Sequence, residues 1–464
     1  MDILDGKRFN SPIRANIQQH RTSLASLLVL WIMFQMGPLP CRSQCMEDGL
    51  SYCNVGVINM TSDGGVKLRT TIETIDDDVL TINIDQLIVG ISASGPFLQR
   101  IAAYTETITY AVYRDPVFQI PNGNTIEEIE LNGAGVLRTI VAGTNNHLKR
   151  LQVERCLLDR LPPTLHEMGE LTELIIMRCA LSALRLDMLL ANSKLTIVDL
   201  SQNKIRQILP VTTAAKHESA IVSLSFIENL LERLDMAAFA MMPNLQSLDL
   251  WGNRIVRFEA TAPVTYPSLS QLYLVANEIA YFDARNLSLP SLEVLLLNQN
   301  ALTEVPAHWG VMPRLKNLGL EENKFKQVDM SVFRMFPELT GIYLGQGEIE
   351  SVRTSSPVVL PILADLLLEQ NKLVSVNLTG CTFPNMHTIS LVENRLTAIP
   401  PLFQHFPKMS MLAISNPIKC SNVVAFKKQI VAERLYVSVG TSQYECDTTS
   451  SIELDPSRRI CCDA

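Results

Sequence analysis

Leu245-Gln246-Ser247-Leu248-Asp249-Leu250-Trp251-Gly252-Asn253 decides the fold. It has the form L-x-x-L-x-L-x-x-N. Leu292-Glu293-Val294-Leu295-Leu296-Leu297-Asn298-Gln299-Asn300 repeats it. The closing asparagines form a file: Asn203, Asn229, Asn253, Asn277, Asn300, Asn323, Asn371 and Asn394, spaced 26, 24, 24, 23, 23, 48 and 23 residues apart. The 48 is a double step with Gly347 at the missing position. Backwards the period runs through Cys179, Cys156 and Ala134, and forwards to Asn416, about thirteen repeats in all. Three leucine-type positions and one polar position, held in register over most of a chain, do not arise from composition alone.

A period of 20–29 residues with this pattern is that of a leucine-rich-repeat solenoid. The expected fold is an α/β solenoid, a horseshoe with a parallel concave β-sheet and disulfide-closed terminal caps. The L-x-L core of each repeat reads as a short strand on the inner face. The asparagine turns inward to satisfy backbone groups that water cannot reach. A small buried cysteine can fill the same place. Phe239, Phe333 and Phe403, nine or ten residues after their ladder positions, are expected in the core of the return arm. Pro210–Ser219 reads as an exposed loop of a longer repeat.

The 464 residues would suggest about three domains, but a solenoid has no natural size limit and forms one elongated body. Expected divisions are a signal peptide over 1–43, an N-terminal cap with degenerate repeats over 44–125, clear repeats over 126–416 and a C-terminal cap over 417–464. Within 44–125, the stretches Val79–Val89 and Thr107–Tyr113 read as strands. The formal charge of −8 and a pI near 5.5 argue against nucleic acid as a partner.

Lys7, Arg8, Arg14 and Arg21 precede the apolar run Leu24–Met36, which is too short to span a bilayer and fits a secretory signal. Cleavage after Ser43 is expected, with a retained anchor as the alternative. No later segment is long and apolar enough to cross a membrane, so the mature chain is expected to be secreted. Asn59, Asn286 and Asn377 begin glycosylation sequons.

Of ten cysteines, three precede the array and four follow it, as capping disulfides require, and Cys156, Cys179 and Cys381 lie within. The disulfide candidates are Cys45 with Cys53, then Cys156, Cys179, Cys420, Cys446, Cys461 and Cys462. Cys156 and Cys179 share a ladder position on consecutive rungs, close enough to bond, though two reduced thiols fit as well. Loss of Cys41 with the signal leaves an odd count. Cys461 and Cys462 are then candidates for a bridge between chains, giving a disulfide-linked oligomer, and Cys381 is the competing odd thiol.

No nucleophile elbow, phosphate loop, HExxH or zinc-type cluster is present, and the seven histidines are scattered. No enzyme, cofactor or metal is expected. What a solenoid offers is surface. Residues between the leucines point out of the concave face. Trp251 and Tyr273 fall there on adjacent rungs, about 4.8 Å apart along the stack, and exposed aromatics are favoured binding anchors. Asp249, Glu321, Glu322, Tyr343 and Glu369 complete the candidate partner-binding set, an acidic face without basic residues. The bland alternative is a polar solvated surface whose aromatics pack on their neighbours.

Asn416-Pro417-x-x-Cys420, a helix over Asn422–Leu435 and further cysteines resemble the C-terminal cap of secreted leucine-rich-repeat proteins. That cap usually has Cys-x-Cys, but here the second position is Asn422, so one of its two disulfides must be missing or made otherwise. The signal, the repeats, this cap and the Cys461-Cys462 doublet together resemble the mosquito leucine-rich-repeat immune proteins. The chain stops two residues after the doublet, so the resemblance is to a coil-less type. It implies extracellular protein partners, complement-like immune factors or pathogen surface molecules, and a role in innate immunity. Extracellular adhesion or matrix interaction is the alternative.

Overall fold

The computed structural model describes residues 44–45, 52–59, 81–88, 94–103, 105–209, 219–437, 439–441, 450–455 and 458–463. The leader, Cys446 and residues 210–218 of the expected loop lie outside them. Cys45–Ala464 forms one compact unit.

Within it one parallel sheet runs in strict chain order, from Tyr52–Asn59 through Ser247–Asp249 to Leu435–Val437. Most strands pair with the same three or four positions of the next. Leu224, Leu248, Leu272 and Leu295 are successive partners, and so are Ser225, Asp249, Tyr273 and Leu296. The alternation of strand side chains then divides the sequence: Leu248, Leu272 and Leu295 are fully buried, while Asp249 and Tyr273 remain partly exposed.

The asparagine ladder closes this core. Asn277 Nδ2 donates to Leu250 O of the preceding rung at 3.0 Å and to Leu274 O of its own at 3.1 Å. Its Oδ1 accepts from Ile255 N at 3.1 Å. Asn253 and Asn300 repeat the arrangement, so Leu250 O and Leu274 O each receive two amide donors. At Gly347 the side chain is missing, and Phe325, in the place of Ile255, has no asparagine to receive its N–H.

The ladder also extends where the asparagine pattern does not reach. The register places Ile58 opposite Leu87, Leu87 opposite Tyr113, and the Tyr113 rung beside the Ala134 rung. All four side chains are buried. Ile58, Leu87 and Ala134 fill these early rungs with apolar side chains, while the Tyr113 hydroxyl donates to Val117 O at 2.6 Å.

The return arm forms short parallel strands of its own, such as Arg233–Asp235, Arg257–Glu259 and Tyr281–Asp283. Phe258 and Phe282 stack in parallel with centroids 4.6 Å apart, and Trp309 and Phe336 continue the row. Phe239 and Phe333 are fully buried as expected, whereas Phe403 is only partly buried, under the Arg434 guanidinium. A second acceptor file supports this arm. Asp329 Oδ1 accepts from Ser331 N at 3.0 Å and from Ser355 N of the next rung at 3.1 Å, and Asp235 does the same with Ala237 and Thr261.

Two cap expectations need correction. The helix over Asn422–Leu435 is two short helices, Cys420–Val424 and Lys427–Val431. The terminal doublet is not a bridge between chains: Cys462 bonds Cys420, Cys461 is also disulfide-bonded, and both are buried. The cap fold brings Asp463 beside Cys420 through a backbone hydrogen bond, which sets the doublet against the last rung. Cys156 and Cys179 are bonded, with Cα atoms 4.5 Å apart, and Cys53 is disulfide-bonded as well. Among the described residues Cys381 is the free thiol.

Candidate concave recognition face

The face is built by strand alternation, and its centre is Trp251. Asp249 Oδ1 accepts from Trp251 N at 3.0 Å, holding the strand end that carries the indole. Tyr273 lies on the next strand, but its direct partner is Asp249, not Trp251. Trp251 sits two residues further along, level with Val275, whose carbonyl accepts from Gly252 N. The two aromatics are therefore diagonal neighbours, with Cα atoms about 8 Å apart rather than 4.8 Å. Both are partly exposed. Burial and the Asp249 carboxylate push the Tyr273 phenol up.

Leu296 opposite Tyr273 is 3% exposed, so the aromatic pair continues into apolar floor. Beyond it the strands carry glycines with side chains folded over them. A Cβ on Gly319 would lie 2.1 Å from Asn298 Oδ1, and one on Gly341 would lie 2.5 Å from the Tyr343 hydroxyl. Tyr343 is consequently buried at 7% exposure and is not part of an exposed set. The sequence shows its outward register but not that Gly341 lets its ring lie down. Burial, with Asp365 and Glu321 nearby, pushes its phenol up.

Glu369 likewise folds towards Gly345. Burial pushes its carboxyl up, against its own backbone N–H and the Ser390 hydroxyl, which pull it down. Asn298 Nδ2 donates to Glu321 Oε2 at 2.7 Å. Asn298 Oδ1 and Glu369 Oε2 are both buried acceptors without a partner. Glu322 is partly exposed at the rim, where it accepts from Gln299 Nε2 at 2.9 Å.

The outward placement of the rim residues follows from the repeat, but the rail they form does not. The residue before each ladder position takes a left-handed backbone: φ is 54° at Arg178, 56° at Gln202, 51° at Glu228, 57° at Gln299, 54° at Glu322, 55° at Gln370 and 55° at Glu393. This turn aligns long polar side chains into a rail, joined by Arg178–Gln202, Gln202–Glu228, Gln299–Glu322 and Gln370–Glu393 hydrogen bonds of 2.6–2.9 Å. The rail breaks over two rungs, at Gly252 and Ala276, directly beside Trp251 and Val275. The absence of β-branched residues at this position is the sequence signal that could have revealed it.

Of the sequon asparagines, Asn377 is exposed, Asn286 donates its amide to Ala260 O, and Asn59 ends a described strand. Among the described residues there is no group of three metal-ligating side chains and no helix long and apolar enough to cross a membrane.

A leucine-rich-repeat family model matches residues 219–279. Among curated proteins, the chain is similar to leucine-rich repeat-containing G-protein coupled receptor 5 of Xenopus tropicalis, 27% identical over 205 residues, 43% of this chain and 22% of that protein. Mimecan of Mus musculus is 28% identical over 184 residues, 39% of this chain and 51% of that protein. Such alignments span from about a fifth to about half of these relatives. Among solved structures, the LRIM1/APL1C complex superposes with a TM-score of 0.55 at 16% identity, covering 92% of this chain and 72% of that one. A leucine-rich-repeat protein of Leptospira interrogans gives 0.54 at 17% identity, covering 77% and 90%. Register, ladder and likeness agree: the chain carries leucine-rich repeats, and its fold is the leucine-rich-repeat solenoid.

Proposed function

We propose that this chain is a secreted, non-enzymatic recognition protein of innate immunity that binds extracellular proteins through its concave face. The observation that carries the reading is the partly exposed Trp251–Tyr273 pair on apolar floor, ringed by carboxylates. Partly exposed aromatics on a rigid sheet lose little entropy on binding and anchor protein interfaces. Disulfides at Cys156–Cys179 and Cys420–Cys462 support an oxidising, extracellular address. The immune role is supported by the family resemblance in sequence and by the fold neighbours LRIM1 and APL1C, mosquito immune proteins.

The test is a pull-down from body fluid with mass spectrometry, comparing wild type with the Trp251→Ala, Tyr273→Ala double variant. The variant is expected to lose its specific partners while its thermal unfolding stays nearly unchanged. An identical partner set for the two proteins would refute the concave site. Abundance that rises on infection supports the immune role, and stable cell-surface association without infection supports adhesion instead.

A further inference from the structure

We infer that the concave face docks an extended, basic segment of a partner protein, lying across the strands. One apolar side chain seats between Trp251 and Tyr273 at the gap in the rail, and cationic side chains lie over Asp249, Glu321 and Glu369. This deepens the recognition reading and rests on it.

Charge complementarity names the occupant. From the Asn203 rung to the Asn394 rung, the outward strand and rim positions carry Asp199, Glu228, Asp249, Glu321, Glu322, Asp365, Glu369 and Glu393, and neither lysine nor arginine. The rungs before them neutralise themselves: Arg150 pairs with Glu130 and Glu173, and Arg178 with Glu154. The outward positions of the rungs that carry the aromatics are thus acidic by composition. Hydrogen bonding points the same way. Asn298 Oδ1 and Glu369 Oε2 are buried acceptors left without donors, and lysine and arginine side chains are donors only.

Geometry sets the length. Rungs stack at ~4.8 Å, so the eight steps from Asn203 to Asn394 span about 38 Å, the reach of roughly a dozen extended residues at ~3.3 Å each. Asp249 and Glu321 are three rungs apart, about 14 Å or four residues, and Glu321 and Glu369 two rungs, about 10 Å, which two residues and the reach of a lysine side chain span on the same face. The rail would fence such a segment on one side, except where Gly252 and Ala276 leave room for a side chain to turn inward beside Trp251.

The probe is a capped synthetic twelve-residue peptide of glycine and serine, with lysine at its second, sixth and eighth positions and leucine at its fourth, all on the face that an extended chain turns to the sheet. A matched peptide has glutamate for lysine. Binding is followed on the secreted protein by tryptophan fluorescence, to which the partly exposed Trp251 responds and the buried Trp309 does not. The lysine peptide is expected to bind, with affinity falling as salt rises, and the glutamate peptide is not. Glu321→Gln with Glu369→Gln should weaken binding about tenfold. Gly252→Gln, which restores the rail with a residue that other rungs hold at the same left-handed backbone, should also weaken it without loss of folding. Equal binding of both peptides, or indifference to these variants, overturns the basic segment. If neither peptide binds while the double aromatic variant still loses its partners in pull-down, concave recognition stands and the basic class falls. If the partners are retained as well, both fall.

Discussion

Replacing Asn277 with alanine tests the ladder at one of its most connected points. The side chain is 8% exposed and makes two good donated bonds and one accepted bond. The two carbonyls do not become orphans, because Asn253 still donates to Leu250 O and Asn300 to Leu274 O. Ile255 N–H does become one, in a residue that is fully buried. A buried donor left unpaired costs about 1–3 kcal/mol, and each lost bond to a still-paired carbonyl about 0.5–1 kcal/mol. The expected cost is about 3 kcal/mol. In a solenoid each repeat is held mainly by its neighbours, so the loss should be felt first around the two rungs concerned. Urea unfolding followed by circular dichroism reads the global part. Hydrogen exchange reads the local part, with the Ile255 amide expected to exchange about a hundredfold faster. Gln299→Ala, at an exposed rail residue whose side chain bonds Glu322, is the control and should cost under about 0.5 kcal/mol. If Asn277→Ala costs no more than this control, the asparagine file is not what satisfies the buried backbone. Gly347 shows that the array survives one missing ladder side chain, so the variant should fold and the measurement can be made.

Two further outcomes follow from the return arm and the disulfides. Burial pushes the Asp329 carboxyl up, but hydrogen bonds from Ser355 and Ser331 outweigh it and hold the group well below the usual carboxylate range. A folded-state value below the unfolded value of about 3.9 stabilises the protein above that pH, and the contribution fades as pH falls below it. Asp329→Asn should therefore cost about 1 kcal/mol at pH 7, and the gap to wild type should close as urea midpoints are measured from pH 5 down to pH 2; a gap independent of pH would contradict the assignment. Replacing both Cys156 and Cys179 by serine opens a loop of 23 residues and should cost about 3 kcal/mol by the chain-entropy argument. Unfolding under non-reducing conditions checks this, and equal stability of variant and wild type would count against the bond.

The sequence by itself determined the solenoid, its register from Ala134 to Asn416, and the division of each strand into inward and outward positions. These follow from one repeated constraint. A parallel strand buried on one face must alternate, and a backbone turn shut away from water must be given hydrogen bonds, so the leucines and asparagines are written into every repeat. That constraint put Trp251, Tyr273 and the carboxylates on the concave side. Only the tertiary structure decided what each outward residue does there. Tyr343 lies buried because Gly341 makes room for its ring, and Trp251 faces Val275 rather than Tyr273 because the strands pair Asp249 with Tyr273. Ile58 and Leu87 extend the ladder without matching its polar letter, since filling space can replace bonding at the end of an array, and Tyr113 bonds Val117 O through a hydroxyl that the repeat pattern does not predict. The pairing of Cys462 with Cys420 depends on how the cap folds over the last rung, and the gap in the rail on side chains meeting across rungs more than twenty residues apart. Contacts of that kind are made between repeats, and no repeat carries them alone.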